Sequence, residues 1–516
     1  MNAKSTILLA LPLFGLLAIQ AQTPIQAPPT VRDISWYTAN CPFPMQAPML
    51  PVFPDRDFPL TDYGAISDGH TLNTLAFQKA IHACSDAGGG RVVVPAGQWL
   101  TGPIELLSHV NLYLAPDARI LFTNDHTQYP LITGHGYSVS VTPPLYGHDL
   151  EDIAITGEGS FDGAGESWRP VKREKMTPTQ WSALLSSGGS LSGDSKIWWP
   201  SREARDGDAY LRSLKRKSQL TTDDFLPARD YLRPCMLDLV NCRHILIRGI
   251  LLANSPKFVF YPNHCSDLTM DHVRIFNEWW AQNGDGIDIS ACKNVLLYQC
   301  TVNAGDDGIC MKSSGGPQSG AAPNSSAALP DGPALRNVII AGCTVYRAHG
   351  GFVVGSNTDG GMHDIFVSDC NFVGTDVGLR FKSNMGRGGL VDDIFITRIT
   401  MQHIVHEAVL FDTYYENVEA GAEKDPNKPR PEDKTPEFRD FHISHVVCNG
   451  AHTGISITGL PQMPVSRISF DSLEIHSDLG LVATQARDIE LHAIKWTVQN
   501  EPVYDADKTA EIRIRP

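Results

Sequence analysis

The sequence lacks both an excess of positive charge and a second long hydrophobic run. Its acidic residues outnumber its basic residues by 57 to 42, which gives a formal net charge of −15. Nucleic acids and anionic membranes are bound through dense positive fields, so we expect no nucleic-acid partner. A single apolar run that is removed by processing leaves no membrane anchor. An acidic polymer could bind such a chain only at a local basic patch.

The one long apolar run is at the amino terminus. Lys4 precedes apolar residues 7–19, which are followed by small residues. A basic start, a short apolar core and a small-residue end are typical of a secretory signal peptide. The run is also too short to span a bilayer as a mature helix. We therefore predict a signal peptide over 1–21, an extension over 22–57, and a secreted or periplasmic monomer.

The number of cysteines in the chain is odd. It has eleven, so at least one thiol stays unpaired even if all the others form bridges. Cys265 and Cys292 are 27 residues apart, and so are Cys343 and Cys370. This regular spacing suits a stacked core at least as well as a disulfide framework. No compact zinc-ligand spacing occurs, and we expect neither a metal nor another cofactor.

A short phrase recurs along the chain: two small or polar residues, an apolar residue, and then apolar residues in alternation. The first apolar position of each copy is occupied by Ile245, Leu268, Val295, Val338, Ile365, Ile394, Phe441, Ile468 and Ile489. Each unit is too short to bury its apolar face alone, and the stacking of successive coils supplies the missing partner. The sequence therefore predicts an all-β fold, a parallel β-solenoid, over residues 58–516.

A second ladder of strands opens on a glycine in each coil, at Gly286, Gly308, Gly351 and Gly378. Its last two intervals, 43 and 27 residues, equal those from Val295 to Val338 and from Val338 to Ile365 in the first ladder. The two ladders therefore share the same coils. Because side chains alternate across a strand, every second residue of this ladder points away from the core, among them Asp288, Cys310, Val353 and Arg380.

Three segments interrupt the repeat. Residues 313–333 and 417–437 are rich in Gly, Pro and Ser or in charge, which is typical of loops inserted into single coils. The stretch 168–231 carries no copy of the phrase and is predicted to be a larger insertion. We expect its tryptophans Trp181, Trp198 and Trp199 to pack the insertion rather than to bind sugar.

Four ionisable residues gather at the start of the second ladder. Asp285 and Asp307 immediately precede a ladder glycine, while Asp306 and His349 each stand two residues before one. Neighbouring strands lie about 4.8 Å apart, so these aspartates are expected within several ångströms of one another, with at least one raised pKa. A single Asp-Gly pair would indicate only a turn. Three aspartates with a histidine favour glycoside hydrolysis, which needs a carboxylic acid and a carboxylate.

Two cations project beside this cluster, one coil further along. Arg380 and Lys382 share the outward face of their strand. Guanidinium and ammonium groups that project together form the local basic patch that an anionic substrate requires. Lys312 also faces outward on this ladder, but the sequence gives weaker grounds for placing it beside the aspartates.

At these positions the chain resembles the polygalacturonase family, glycoside hydrolase family 28. The family's usual motifs are Asn-Thr-Asp, an Asp-Asp pair, Gly-His-Gly and Arg-Ile-Lys, followed by a tyrosine. The matching segments here, in order, are Asn283-Gly284-Asp285, Gly305-Asp306-Asp307, His349-Gly350, Arg380-Phe381-Lys382 and, best matched of two neighbouring tyrosines, Tyr415. The chain departs from the family pattern at Gly284, Ala348 and Phe381. No charged or titratable member of the motifs is lost.

The resemblance implies a right-handed parallel β-helix with an N-terminal cap and an inverting hydrolase of α-1,4-galacturonosidic bonds in pectin, an acidic plant polysaccharide. It implies that Asp306 is the general acid, that Asp285 and Asp307 hold and activate water, and that His349 tunes the protonation of the acid. The residues implied in substrate binding are Asn283, Arg380, Lys382 and Tyr415. The resemblance implies no cofactor. For an inverting enzyme we expect carboxyl groups about 6.5–9.5 Å apart.

Other functions remain open from the sequence. Rhamnogalacturonan and xylogalacturonan hydrolases share the resemblance, and a pectate lyase would share the fold but use β-elimination, commonly with calcium. A carbohydrate-binding solenoid without activity is the non-enzymatic alternative. The insertion at 168–231 and the loop at 313–333 could wall an otherwise open groove, which favours exo cleavage, although the sequence does not give their direction.

Overall fold

The computed structural model of the protein describes residues 31–133, 139–214, 217, 219–314, 334–415 and 434–515. The predicted signal peptide, and most of the predicted loops at 313–333 and 417–437, lie outside these residues. The described chain is a right-handed parallel β-helix, which confirms the predicted fold class. None of its described helices is both long and apolar enough to cross a membrane.

The recurring phrase forms one long parallel ladder, here called the core ladder. Its register confirms the spacing of the repeat: Ile245 pairs with Leu268, Leu268 with Val295, and Val295 with Val338. The strands are Asp57–Pro59, Gly90–Val94, Val110–Leu114, Glu151–Gly157, Arg243–Arg248, Ser266–Asp271, Lys293–Tyr298, Leu335–Ala341, Met362–Ser368, Leu390–Val391, Ile394–Gln402, Glu437–Asn449, Val465–Asp471, Ala486–His492 and Ala510–Arg515.

In each copy of the recurring phrase, a polar residue turns the chain as it enters the core strand. The φ angle is 53° at Asn294 and 57° at Asn337, in the left-handed region that Asn and Asp tolerate better than bulky residues. Asn337 Nδ2 also donates a hydrogen bond to Asn294 Oδ1 at 3.1 Å, so the turns stack from coil to coil. The same conformation recurs in the other copies of the phrase, at His244, Asp267, Asp364, Asp393, Asp440, Arg467 and Asp488. The polar part of the phrase is therefore the corner of each coil.

Two further ladders complete the coils. The connecting ladder follows the core ladder and is made of Gly97–Thr101, Ala118–Phe122, Ser160–Asp162, Leu251–Ala253, Arg274–Phe276, Thr301–Asn303, Thr344–Tyr346, Asn371–Val373, the ends of Ile394–Gln402 and Glu437–Asn449, Glu474–Ser477 and Lys495–Val498. The site ladder is made of Ile104–Glu105, Leu145–His148, Leu237–Val240, Phe260–Asn263, Ile287–Ser290, Asp307–Lys312, Gly350–Val354, Val377–Lys382, Glu407–Asp412, Thr453–Thr458, Leu479–Thr484 and Tyr504–Ala506.

The interior is a continuous apolar column in which like residues stack. Phe381 has no exposed surface, and its ring centroid lies 4.5 Å from that of Phe411 and 4.9 Å from that of Phe441. The first pair is tilted and the second is edge-to-face, and aromatic pairs at these distances add stability beyond the burial of their area. The departure from the family's Arg-Ile-Lys motif at Phe381 is therefore a matter of core packing.

The cysteines also stack inside the coils. All eleven are free thiols, and nine of them are buried. Cys265 Sγ donates to the backbone carbonyl of Leu239 at 3.4 Å, and Cys370 Sγ donates to that of Ser368 at 3.3 Å. A buried thiol with a carbonyl acceptor packs as a small apolar residue. The 27-residue cysteine spacing reflects the length of a coil, as the stacked-core interpretation predicted.

Helices and short strands cover the N-terminal end of the solenoid and parts of its outer surface. The helix Thr74–Asp86 buries Phe77 and Ile81 at the N-terminal end of the column, and the helix Ile34–Ala39 packs Tyr37 on the outside of the core ladder. The remaining α-helices are Pro178–Ser186, Arg202–Leu214 and Arg229–Leu232. The 3₁₀ turns are Leu60–Tyr63, His126–Gln128, Gly165–Ser167, Arg173–Lys175 and Thr222–Ala228, and a hairpin pairs Leu131–Thr133 with Val139–Val141.

The predicted insertion folds as a small unit with its own sheet, Val171–Lys172, Ser190–Leu191 and Ile197–Trp199. Trp181 and Trp198 are buried in its core, as predicted for packing residues, and Trp280 of the solenoid packs against them. Trp199 is only partly buried. The contact with Trp280 places the insertion beside the segment that leads to Asp285.

Candidate active site

The site ladder places the predicted residues at one point on the surface of the solenoid. Asp285 lies two residues before the strand Ile287–Ser290, and Asp307 begins the next strand. Asp307 pairs in register with Gly350, the neighbour of His349, and Val353 pairs with Arg380. Four successive coils therefore bring the motifs together in the order in which they occur in the sequence.

The ladder glycines allow this close packing. A Cβ atom at Gly286 would lie 2.4 Å from Val302 Cγ1, and one at Gly351 would lie 2.3 Å from Phe372 Cγ. No side chain fits at either position, because the site ladder passes directly over the connecting ladder there. The motif glycine Gly284 is similar: its Cβ would lie 2.8 Å from Ala281 Cβ, which leaves no room for the family's threonine.

The three aspartates converge as predicted. One carboxylate oxygen from each of Asp285, Asp306 and Asp307 lies within 4.8 Å of the other two. Asp306 has the most accessible side chain at 16% exposed, against 6% for Asp285 and 2% for Asp307. Of the three carboxyl groups, Asp306 is therefore the one that a substrate oxygen can reach most easily.

The expected separation of about 6.5–9.5 Å between the carboxyl groups is wrong for this cluster. The register fixes the spacing: Asp306 and Asp307 are sequence neighbours, and Asp285 lies one coil away, so the strand spacing limits how far apart their oxygens can be. The short separation by itself is nearer to that of a retaining enzyme.

Fixed cations neutralise two of the aspartates. Lys382 Nζ lies 2.7 Å from Asp307 Oδ2 and Arg380 Nη1 lies 3.1 Å from Asp307 Oδ1. Lys312 Nζ lies 3.6 Å from Asp285 Oδ2 and 3.0 Å from Asp288 Oδ1. Lys312, the weakest candidate from the sequence, thus belongs to the cluster.

Tyr415 completes the basic patch. Its ring centroid lies 4.9 Å from Lys382 Nζ and 5.5 Å from the guanidinium carbon of Arg380. These cation–π contacts hold both cations at the edge of the aspartate cluster. Asn283 lies on the opposite side, where its Oδ1 accepts a hydrogen bond from Arg233 Nη2 at 2.8 Å. All eight residues predicted for the site therefore lie around one cluster.

His349 is held between a carboxylate and a lysine. Its Nδ1 lies 3.1 Å from Asp306 Oδ1, and its Nε2 lies 3.1 Å from Lys175 Nζ. An ammonium group can only donate, so Nε2 accepts and the proton of the neutral ring is on Nδ1, where it is donated to Asp306. Lys175 Nζ also donates to the carbonyl of Gly305 at 3.1 Å. The insertion therefore sets the tautomer of a site residue.

The charges separate the pKa values of the aspartates. Burial, reinforced by the negative charges of Asp288 and Asp306, raises the pKa of Asp285 well above its usual value. Burial also acts to raise the pKa of Asp307, but Lys382 and Arg380 overcome this effect and lower it. For Asp306, burial is outweighed mainly by the hydrogen bond with His349, and the pKa is lowered. In the unliganded site Asp285 thus favours its protonated form, and the other two favour the ionised form.

The raised pKa predicted for at least one aspartate is therefore found, but at Asp285 rather than at the expected acid Asp306. Asp288, buried beside Lys312, also has its pKa raised by burial, to about 6. The sequence showed that Asp288 faces outward but not that it sits under the cluster. Lys175 and Arg233 gave no signal at all, because both come from a segment that carries no repeat.

Among the residues that the structure describes, two groups of side chains have the geometry to hold a cation. One is the aspartate cluster itself, and the other is His363, Asp364 and Asp393 on the outside of the core ladder. In the aspartate cluster, Lys382, Arg380 and Lys312 already supply the positive charge that a metal would bring. A divalent ion would be repelled by these fixed cations.

The comparisons with known proteins agree with the motifs. A family model described as glycosyl hydrolases family 28 matches residues 228–430, a range that contains the aspartate cluster. A probable polygalacturonase of Vitis vinifera is 27% identical over 430 residues, which cover 81% of this chain and 74% of that protein. An exo-poly-alpha-D-galacturonosidase of Dickeya chrysanthemi is 26% identical over 417 residues, which cover 78% of this chain and 64% of that protein.

Among solved structures, a hyperthermoactive exopolygalacturonase from Thermotoga maritima superposes with a TM-score of 0.68 at 23% identity, covering 87% of this chain and 94% of that one. This likeness supports the β-helix fold. The protein is a glycoside hydrolase, and the family match over residues 228–430 together with the ordered motifs supports its resemblance to glycoside hydrolase family 28.

The contact between Lys175 and His349 predicts a kinetic effect from outside the solenoid. We expect Lys175→Met to lower kcat on the order of 10-fold with little change in KM, less than the 10²-fold that misplacing a reacting group can cause. Lys175→Arg keeps a cation at Nε2 and should restore most of the loss. Lys196→Met, at an exposed lysine of the same insertion, is the control. Unchanged kcat in Lys175→Met, or an equal loss in the control, would contradict this role.

Proposed function

We propose that this protein hydrolyses α-1,4-galacturonosidic bonds of polygalacturonan from the chain end, with inversion, and that it acts as a secreted or periplasmic monomer on pectin or oligogalacturonides. The observation that carries the proposal is the cluster of Asp285, Asp306 and Asp307 beside the cation pair Arg380 and Lys382. The first group supplies acid and base, and the second recognises the carboxylate of a uronic acid. The named relatives, which are polygalacturonases, support the same substrate.

Asp306 is the general acid in this proposal. It is the most accessible of the three carboxyl groups, and its Oδ1 is occupied by His349 Nδ1 and by the backbone N–H of Asp307 at 3.0 Å. Its Oδ2 is therefore the oxygen left to carry a proton to the glycosidic oxygen. Asp285 and Asp307 hold the attacking water on the other side of the cluster.

Neither of these two aspartates is suited to be a nucleophile. Both oxygens of Asp307 are bonded to cations, and Asp285 is buried and favours its protonated form. Retention needs a free, ionised carboxylate that attacks the sugar. Water positioned by the pair is the better nucleophile here, and this supports inversion despite the short separation of the carboxyl groups.

Substrate binding itself brings the general acid Asp306 into its protonated form. Lys382 contributes to lowering the pKa of Asp306, and it also neutralises Asp307. A uronate that binds to Arg380 and Lys382 adds a negative charge and offsets these cations. The pKa values of both aspartates then rise, so that Asp306 takes up the proton it must donate and Asp307 becomes a stronger base.

The insertion supports exo cleavage. Lys175 of the insertion reaches His349, and Trp280 packs into the core of the insertion. Arg233, two residues after the insertion, bonds to Asn283, so the insertion stands directly beside the aspartates. A wall at this place blocks the groove on the side of the N-terminal coils. Calcium-dependent elimination is disfavoured by the three cations in the cluster, and the Arg380 and Lys382 pair favours plain galacturonan over branched pectins.

Product analysis tests this function. We expect wild-type protein to release one short product from polygalacturonate with slow loss of viscosity, and to turn over rhamnogalacturonan and xylogalacturonan poorly. Asp285→Asn, Asp306→Asn and Asp307→Asn should each lower kcat by about 10²–10⁴-fold with native circular dichroism. Asp117→Asn, at an exposed aspartate of an N-terminal coil, is the matched control. A ladder of oligomers with rapid viscosity loss would refute exo attack, and full activity of Asp306→Asn would refute its role.

The change in pKa on binding predicts a difference between two pH profiles. The acid works only while protonated, so activity falls as pH rises through its pKa. The profile of kcat/KM reports the free enzyme and that of kcat reports the complex. Because uronate binding raises the pKa of Asp306, the alkaline limb of kcat should lie at higher pH than that of kcat/KM. Coincident alkaline limbs, measured on trigalacturonate, would show that the substrate does not raise the pKa of the acid.

A further inference from the structure

A buried carboxyl group and an ammonium group lie under the aspartate cluster, and neither has a part in the reaction proposed above. Asp288 has no exposed surface, and its Oδ1 lies 3.0 Å from Lys312 Nζ. The same ammonium nitrogen lies 3.6 Å from Asp285 Oδ2. Asp288 also pairs in register with Cys310 on the strand that ends at Lys312. Lys312 therefore connects a buried carboxyl group with one that holds the attacking water.

Asp288 can affect the reaction only through its neighbours. A side chain with no exposed surface does not touch a sugar in the groove. Within the part of the chain that the structure describes, neither carboxyl oxygen of Asp288 has a hydrogen-bond partner, and its charge is compensated by the ion pair with Lys312. A buried carboxylate is costly unless a cation faces it. The position of Asp288 thus suits a residue that fixes another side chain.

Lys312 is held from several sides. Its Nζ donates a hydrogen bond to Cys310 Sγ at 3.3 Å and lies 5.2 Å from the ring centroid of Phe258. Among the described residues, Asp285 and Asp288 are the two carboxyl groups that pair with this ammonium group, and the shorter distance is to Asp288. Asp288 therefore keeps the ammonium group in place and prevents it from closing fully on Asp285.

The looser contact orients Asp285. Its Oδ2 faces the ammonium group of Lys312, whereas its Oδ1 is buried and has no hydrogen-bond partner among the described residues. A buried polar atom without a protein partner is commonly satisfied by an ordered water. With Oδ2 engaged, Oδ1 is the oxygen of Asp285 that is left for the attacking water.

The pair also acts on the protonation of Asp285. Burial is the main cause of the raised pKa of Asp285, the negative charge of Asp288 adds to the rise, and the positive charge of Lys312 opposes it. Asp306 and Asp307 also face this carboxyl group, and their charges act to raise its pKa. Asp288 and Lys312 therefore act on Asp285 in opposite directions, which a titration can separate.

We propose that Asp288 and Lys312 are positioning residues for the attacking water. Asp288 holds the ammonium group, Lys312 fixes Oδ2 of Asp285, and Oδ1 of Asp285 holds the water. The inference rests on the proposed function and deepens it, since it explains how a buried pair outside the groove controls the nucleophile. Neither Asp288 nor Lys312 belongs to the motifs that carry the family resemblance.

Kinetics on trigalacturonate test this chain of contacts. Asp288→Asn, which keeps the size of the side chain, should lower kcat on the order of 10-fold with KM unchanged, because displacing a reacting group costs up to about 10²-fold without loss of sugar contacts. Lys312→Met should lower kcat at least as much, and Lys312→Arg should lower it less. The double variant Asp288→Asn/Lys312→Met should stay within about 2-fold of Lys312→Met, because Asp288 acts through Lys312.

The matched control is Asp369→Asn. Asp369 is also a buried aspartate in an ion pair, with Arg398 at 2.7 Å, but it lies where the N-terminal helix packs on the core ladder. Its replacement should leave kcat unchanged even if thermal melting falls. A loss in Asp288→Asn that is confined to KM, an equal loss of kcat in Asp369→Asn, or losses that multiply in the double variant would overturn the proposal.

A titration in the unliganded protein keeps the test independent of turnover. ¹³C NMR of the aspartate carboxyl groups follows the protonation of Asp285, and Asp285→Asn identifies its signal. Asp288→Asn should lower the pKa of Asp285, and adding Lys312→Met to it should raise this pKa again, because the second change removes a cation. An Asp285 titration that is the same in wild-type protein and in both variants would contradict the proposed contacts.

The two measurements separate this proposal from the proposed function. If wild-type protein hydrolyses galacturonan but Asp288→Asn leaves kcat unchanged, the positioning role is wrong and the proposed function stands. If wild-type protein hydrolyses no galacturonan while the pKa of Asp285 shifts as expected, the proposed function is wrong and the control of Asp285 by Asp288 and Lys312 stands.

Discussion

The spacing between coils is the constraint on which the site depends. A parallel register puts equivalent residues of successive coils about 4.8 Å apart, so a carboxylate at the same position in two coils meets its neighbour. The structure places three such groups, Asp285, Asp306 and Asp307, with oxygens within 4.8 Å of one another. Charges that close are tolerated only with compensation, which Lys382, Arg380 and Lys312 provide.

This compensation has a chemical consequence. The cations that make the crowded cluster stable also hold Asp307 in its ionised form and contribute to lowering the pKa of Asp306. In our proposal, the general acid of a site balanced in this way is not protonated until an anion binds to the same cations. A uronate supplies that anion, whereas a neutral sugar does not. Recognition of the substrate and activation of the acid are thus one event in this account.

In our proposal, the solenoid supplies the reacting groups, and the insertion supplies the direction of attack on the polymer. A β-helix surface continues along its axis and by itself favours no end of a polymer. The insertion places Lys175 against His349, and its Trp199 and Tyr231 line a cavity that Asn283 also lines. In our proposal the insertion ends the groove at this place. We infer that the solenoid carries the chemistry, while the exo mode of attack is decided by a segment added to it.

Much of this arrangement was predictable from the sequence, because a repeat converts sequence distance into spatial register. The pairing of Val295 with Val338, the stacking of Cys265 on its neighbours, and the convergence of the aspartates all follow from coil length. Phe381 can replace the isoleucine of the family motif because its side chain lies in the core, where an apolar side chain that packs well is accepted.

The parts that could not be predicted lie outside the repeat or depend on burial. Lys175 and Arg233 reach the site from an irregular segment, and no periodicity relates residue 175 to residue 349. The raised pKa was expected somewhere in the cluster, but its place at Asp285 depends on how deeply each carboxyl group is buried and on which cation it faces. The predicted separation of the carboxyl groups was wrong because the usual distance applies to carboxyl groups on opposite walls of a cleft. It does not hold for groups on the same coil or on adjacent coils.

The stereochemistry of the product tests the central claim most directly, since the short carboxyl separation and the state of the carboxylates point in opposite directions. Proton NMR during the first turnovers of trigalacturonate would follow the anomeric signal of the newly formed reducing end before mutarotation. From an α-linked substrate, our account predicts that the β-anomer appears first, because water attacks and neither Asp285 nor Asp307 is free to form a covalent intermediate. Initial appearance of the α-anomer would contradict it.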